Sequence, residues 1–400
     1  MKDYRSDYPF FKNNPNTIFF DNAATALKPQ CVIDAVNYYY TNLSCNAHRG
    51  DYNLSYLVDK EIADAREDIA KFIGANSNEV AFVSGTTEGI NMIANGYVSK
   101  ILNEGDEILI SELEHASNVL PWFKIAKERK AKVKYVKLYD HKITLKGVKE
   151  SITSKTKVIS LAYISNVLGY KIPAKEIGKL AHENNILYIL DGAQATPHIK
   201  IDVKDLGCDF YTFSAHKLGG PTGIGAMYGK EEFLIDTDPY NLGGGMNKKF
   251  NKDMNYDAYN SVRKFEAGTP NIEGIFGFHA IVKYINKIGY DYIEKRDKYL
   301  RKLALEGLRK LNNIILYNDD EDSYTITFNV KDVFAQDAAS LFAKYDVCIR
   351  SGQHCAKLID GVVGTYASLR CSMYFYNTEE EVEKFVKVAA KGSDFLDAYF

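Results

Sequence analysis

Apolar positions recur along the chain with two alternating periods. Short β-rich runs, EVAFV (79–83), EILIS (107–111), KVKYVK (132–137), KVISLAY (157–163), ILYIL (186–190), DFYTF (209–213) and IGAMY (224–228), stand between longer stretches. In those stretches, 58–73, 87–100, 118–130 and 174–184, apolar residues return every three or four positions, and the first ends at Gly74. The alternation predicts an α/β protein with a mostly parallel sheet and helical crossovers. From Asp236 to Asn260 the chain turns polar, includes Gly243, Gly244 and Gly245, and has no clear period, which predicts a long functional loop. Beyond Gly268, Thr269 and Pro270 a helical region runs to about Leu311, followed by a strand candidate TITFN (325–329) and a closing amphipathic helix from Thr378. The expected division is a large domain over 21–270 and a smaller α/β domain over 271–400, with an N-terminal arm over 1–20.

Composition narrows the class. The 400 residues are 46% hydrophobic and 26% charged, enough to bury a sizeable core. Lys+Arg 50 against Asp+Glu 52 gives a formal charge of -2 without long single-sign runs, so neither nucleic acid nor an acidic membrane is an expected partner. The N-terminus MKDYRSDYPFF lacks the apolar core of a secretory signal, and no stretch reaches the roughly 20 apolar residues of a spanning helix, so a cytoplasmic location is expected. Six cysteines, at 31, 45, 208, 348, 355 and 371, form no CxxC pair and are too few for a disulfide scaffold; they read as reduced thiols.

Polar clusters sit just after the β-rich runs: GTTEG (85–89), EH (114–115), SN (165–166), DGAQ (191–194) and SAHK (214–217). In open α/β sheets that edge binds ligands. GTTEG precedes a helical stretch, where unpaired amides suit an anion, although a plain Thr cap reads the same way. Lys217, after a buried strand and beside Ser214 and His216, has the setting of a Schiff-base lysine or of an ordinary loop lysine. Asp191 ends an apolar strand, where a carboxylate needs a cation or several donors, or serves as a helix cap. His115 is either functional or a hydrogen-bonded structural histidine.

Taken with DNAAT (21–25), HRG (48–50), SNVLG (165–169), DGAQA (191–195), HKLGGPTGIG (216–225), FEAGTPN (265–271), RSGQHCA (350–356) and the segment from Arg370 to YNT (376–378), these clusters resemble fold type I pyridoxal 5′-phosphate (PLP) enzymes of aminotransferase class V. The resemblance is strongest to the group II, SUF-type cysteine desulfurases. It implies that Lys217 forms the internal aldimine, Asp191 pairs with the pyridine nitrogen so that the ring serves as an electron sink, Gln194 bonds the ring hydroxyl and His115 stacks on the ring. Thr87, Ser214 and His216 would bind the phosphate with Thr86 nearby, and Asn166 would border the cofactor on the substrate side. Arg370 would clamp the substrate carboxylate, and Arg350 would assist substrate binding or loop order. Cys355 would attack the sulfur of cysteine, leaving alanine and a persulfide, with Arg350 and His354 as flanking groups that favour the thiolate. Resemblance also implies a homodimer in which Thr269 and the Gly243–Gly245 loop face the phosphate of the neighbouring subunit, and a sulfur-acceptor protein as partner in iron-sulfur cluster assembly or other sulfur metabolism.

The chain departs from the family pattern at Gln353, Ala116 and Tyr52, positions where histidines are common. Those changes alter the substrate side, so L-selenocysteine lyase or another class V activity stands as the rival to action on L-cysteine. A non-catalytic PLP-binding assembly protein is the third reading, opposed by the presence of Lys217, Asp191, Arg370 and Cys355.

Overall fold

The computed structural model describes residues 4–47 and 50–398. Seven strands form the large sheet in the spatial order Val80–Val83, Gly225–Gly229, Phe210–Ser214, Leu187–Asp191, Thr156–Ala162, Glu107–Ile110, Lys132–Tyr135. Gly225–Gly229 runs antiparallel to both neighbours and every other pairing is parallel. Consequently Val80–Val83 and the remaining parallel strands all point the same way, and their C-terminal ends share one edge.

The strands read as unbroken apolar runs because both faces are covered. Alternate residues go to different cores: Leu109, Ile159, Leu161, Leu190 and Phe213 join one cluster, while Ile108, Ile110, Val158, Ile189 and Phe210 join the other. Each such side chain contributes about 1.5–3 kcal/mol by leaving water. Lys132–Tyr135, the outermost strand, is largely exposed and carries Lys132 and Lys134, which discourage further pairing at this edge.

Helices Asn53–Phe72, Thr86–Ile93, Leu120–Arg129 and Ala174–Glu183 occupy the predicted stretches. The helical region after Pro270 is two helices, Ile272–Ile288 and Tyr290–Leu308, separated at Gly289, whose φ of 85° breaks the first. Ile272, Ile275, Phe278 and Ile285 pack into the core of the large sheet, so the expected division at 270/271 falls at the start of a helix that covers that sheet. A second, antiparallel sheet has the order Ile314–Leu316, Ile326–Val330, Ser368–Cys371, Arg350–Gly352. Its core takes residues from Leu300 onward together with Ile18 and Phe20, because Ile18–Phe19 pairs in parallel with Val347–Cys348. That pairing carries Asp21 to the small sheet, where it bridges Ser372.

The polar segment 236–260 is not wholly irregular. Asn247–Phe250 and Tyr256–Ala258 pair as an exposed antiparallel hairpin. With no buried face, its strands leave no apolar alternation in the sequence. No helix among the described residues is long and apolar enough to cross a membrane.

Candidate active site

Five strand ends and two strands of the small sheet surround a cavity of about 170 Å³. Thr86, Thr87, His115, Asn166, Asp191, Gln194, Ser214, His216, Lys217, Arg350 and Arg370 all line it, as do Ala23, Ser117 and His354. Sequence reading assigned no role to Ser117. Cys355 stands exposed beside Arg350 and His354. Thr269 is exposed and lies outside the lining, on the loop after Glu266. His48 and Arg49 of the HRG motif lie outside the described residues.

Lys217 lies in a one-turn helix, Ala215–Leu218, at the end of the strand Phe210–Ser214. The chain then turns at Gly219 (φ 105°), where a Cβ would stand 2.8 Å from the Leu27 carbonyl oxygen, so only glycine lets the Ala26–Leu27 stretch just after DNAAT pack here. That stretch is bonded to the lysine turn: Ala26 N–H donates to the His216 carbonyl at 3.0 Å. Burial lowers the pKa of Lys217 to about 8; Asp191 opposes the shift, and Arg370 and Arg350 add to it. Asp191 accepts from Ala193 N–H at 2.8 Å. Its pKa is raised by burial, against the pull of Lys217.

Thr86–Ile93 starts without a side-chain cap from Gly85. Instead Thr86 N–H donates to Ser214 Oγ at 2.9 Å, and the two hydroxyls lie 3.0 Å apart. Thr87 Oγ1 meets Ser117 Oγ at 2.7 Å, and Ser117 Oγ meets His115 Nδ1 at 3.0 Å. Ser117 N–H also donates to His115 Nδ1 at 3.1 Å, which assigns the ring proton to Nε2. Burial first, then Lys217, Arg350 and Arg370, lower His115 to about 4, so the ring is neutral at pH 7. Burial likewise lowers His216 to about 4. Gln194 Nε2 donates to the Ala23 carbonyl at 2.8 Å.

The residues expected on the substrate side come mainly from the small sheet. Arg370, 1% exposed, donates to the Asn166 carbonyl at 2.8 Å and to Asp21 Oδ1 at 3.0 Å. DNAAT was legible as a motif, but a role for Asp21 at Arg370 was not, because they are far apart in sequence. Arg350 Nη2 lies 3.7 Å from Cys355 Sγ. His354 is buried and its pKa is lowered to about 3, first by burial, so of the two flanking groups expected to favour the thiolate His354 is neutral and Arg350 carries the charge. His354 and Cys355 both adopt left-handed φ, 52° and 59°, a strained turn that presents the thiol outward.

The cavity therefore joins a buried amine titrating near 8, a carboxylate, and a helix start lined with hydroxyls. The aminotransferase class-V family profile matches residues 18–385. The chain belongs to this family. Among curated class V relatives, a probable cysteine desulfurase of Ureaplasma parvum serovar 3 is 40% identical over 97% of this chain and 96% of its own. A cysteine desulfurase of Wigglesworthia glossinidia brevipalpis is 38% identical over 99% of this chain and 98% of its own. The apo cysteine desulfurase of Thermococcus onnurineus NA1 superposes with a TM-score of 0.93 at 34% identity, over 98% of both chains. An Escherichia coli cysteine desulfurase in its S-sulfonic acid form gives 0.91 at 32% identity, also over 98% of both.

Two polar atoms test whether the class V cofactor fits. His216 Nδ1 and Arg370 Nε are buried with no partner among the described residues. Both residues line the cavity; Arg370 Nε is a donor that calls for an acceptor, and His216 Nδ1 is a buried ring nitrogen that calls for a polar partner. An anionic cofactor with a carboxylate-bearing substrate supplies acceptors on both sides.

Proposed function

We propose that this class V protein is a PLP-dependent cysteine desulfurase that converts L-cysteine to L-alanine and takes the sulfur as a persulfide on Cys355. The observation that carries the reading is the exposed Cys355 thiol beside Arg350, at the rim of the cavity that Lys217 and Arg370 line. The balance is closed without a further reactant: the Cys355 thiol plus L-cysteine gives the Cys355 persulfide plus L-alanine.

In this reading Lys217 would hold the cofactor, with Asp191 for its ring nitrogen, His115 for the ring face and Gln194 for its hydroxyl. Thr86, Thr87, Ser214 and His216 receive the phosphate. When bound, PLP supplies an electron sink that makes substrate protons labile. Lys217 Nζ, titrating near 8, exchanges protons readily at neutral pH. His115, neutral with its proton on Nε2, contributes a flat, uncharged face. Arg370, held by Asp21 and Asn166, binds the substrate carboxylate, and Arg350 stands 3.7 Å from the attacking thiol. Exposure of Cys355 suits hand-over of sulfur to an acceptor protein.

The active form is proposed to be a homodimer. Thr269, exposed and outside its own chain's cavity lining, then faces the phosphate in the partner, and Gly268 N–H, bonded to the Gly244 carbonyl at 2.8 Å, brings the Gly243–Gly245 loop with it. Supplying L-cysteine, L-selenocysteine and L-cysteine sulfinate separately, and measuring alanine and released chalcogen, tests the substrate. Desulfuration of cysteine is expected; turnover of selenocysteine alone would make the protein a lyase.

A further inference from the structure

In the small sheet three residues lie directly opposite one another on adjacent antiparallel strands: Thr327 faces Arg370, and Arg370 faces Arg350. Directly paired residues project from the same face. Thr327 Oγ1 donates to the Val167 carbonyl at 2.5 Å. Arg370 Nη1 donates to the adjacent Asn166 carbonyl at 2.8 Å. Arg350 Nη2 reaches Cys355 Sγ at 3.7 Å. Asn166 Nδ2 then donates to the His354 carbonyl at 2.8 Å, and the ring from loop to sheet to cysteine and back is closed.

Neighbouring contacts fix the loop end of this ring. The Leu168 carbonyl accepts from Asn318 Nδ2 at 2.7 Å and the Gly169 carbonyl from Tyr324 N–H at 3.0 Å. Four consecutive carbonyls, 166 to 169, are thus taken by donors of the small sheet and of the loop between its strands Ile314–Leu316 and Ile326–Val330. At Gly169 (φ 67°) a Cβ would stand 2.5 Å from Thr325 N, so the loop follows this path only with glycine there. Thr327 is fully buried, touches neither cavity nor thiol, and its N–H is itself held by Asn318 Oδ1 at 2.8 Å.

We propose that Thr327 is a positioning residue for the desulfurase reaction: its hydroxyl sets the register between the 166–169 loop and the Arg370–Arg350 pair, and through them the place of the Cys355 turn. The proposal rests on the reading of Arg370 as the carboxylate site and Cys355 as the nucleophile. Two adjacent arginines repel each other, so their place depends on what holds each one, and Thr327 anchors the segment that holds Arg370. Thr325 is the comparison, because its hydroxyl bonds the same Val167 carbonyl at 2.6 Å but it lies outside the paired row.

Thr327→Val removes the hydroxyl at nearly constant shape, Thr327→Ser keeps it, and Thr325→Val removes the other donor to the same oxygen. The measurements are the KM and kcat for L-cysteine in the holoenzyme, and the rate at which iodoacetamide alkylates Cys355 in the cofactor-free protein at pH 7. Expected for Thr327→Val is a rise in KM of about tenfold, the scale of one buried hydrogen bond, with a severalfold slower alkylation. Thr327→Ser should match the natural protein in both, and Thr325→Val should change neither by more than about twofold. Should Thr327→Val not fold, Thr327→Ala carries the same expectation without the added methyl. Unchanged KM and alkylation in a folded Thr327→Val or Thr327→Ala would overturn the proposal, as would equal effects from Thr325→Val. Alkylation needs no turnover, so a natural protein that forms no alanine refutes the reaction while the alkylation comparison still decides the positioning.

Discussion

Lys217 has two partners of opposite effect, Asp191 and the arginine pair, and burial decides between them in favour of the neutral amine. An ordinary lysine reacts with aldehydes ever faster up to about pH 10.4. In the cofactor-free protein, the rate at which added PLP attaches should instead level off above about pH 8. A stopped-flow record of the visible absorption that keeps climbing past pH 9 would mean that Lys217 is not desolvated as described. Lys217→Ala should lack that absorption altogether. Cys355 is separate from the cofactor chemistry, so Cys355→Ala should keep the absorption and lose about a thousandfold in alanine formation, equivalent to about 4 kcal/mol. Near-normal turnover in that variant would point to an elimination that never uses the thiol. Strand-end position made His115, Asp191 and Lys217 legible as candidates. The Thr327–Arg370–Arg350 row was not, because the register of short antiparallel strands leaves no trace in a single sequence.

Helices Asn53–Phe72 and Ile272–Ile288 are pinned by a buried imidazole. His279 Nδ1 meets Glu61 Oε1 at 2.6 Å and Nε2 meets Asp68 Oδ2 at 2.9 Å, which only the doubly protonated ring satisfies on both sides. Burial pulls its pKa down, yet the bonds to Glu61 and Asp68 prevail and leave it raised, with Lys283 opposing them. Asp64 also lies within range of its charge. A raised folded-state pKa stabilises the protein fully below the unfolded value of about 6.5 and loses that contribution as pH rises through the folded value. The thermal midpoint should therefore fall more steeply above pH 6.5 in the natural protein than in His279→Gln, which cannot take a proton. Parallel slopes would show that the ring is not charged between the helices. The large-sheet strands were legible because each is a compact apolar run buried on both faces. Arg350–Gly352 and Ser368–Cys371 were not, since runs of three or four residues containing arginine, serine and glycine owe their strand form to pairing across the sheet, and Ile314–Leu316, though apolar, is only three residues long and too short to show a period.

At the scale of the whole molecule, the two sheets meet around one cavity, and the proposed homodimer adds Thr269 of one chain to the site of the other. Thr269→Asp would place a negative charge beside the phosphate and weaken cofactor retention, while Lys217→Ala disables the other determinant. If the two residues serve one site from different chains, mixing these inactive variants under subunit exchange yields heterodimers in which one site carries both defects and the other neither, and part of the activity returns. With exchange confirmed by tags, absence of any recovery would mean that Thr269 serves its own chain. The central claim is that Cys355 accepts the sulfur. Its most direct test is to give the holoenzyme L-cysteine without reductant, block free thiols, and determine the mass of the peptide bearing Cys355 alongside the alanine formed. One added sulfur atom on Cys355 is expected in step with the first equivalent of alanine; alanine formed with Cys355 left unmodified would contradict sulfur transfer to this thiol.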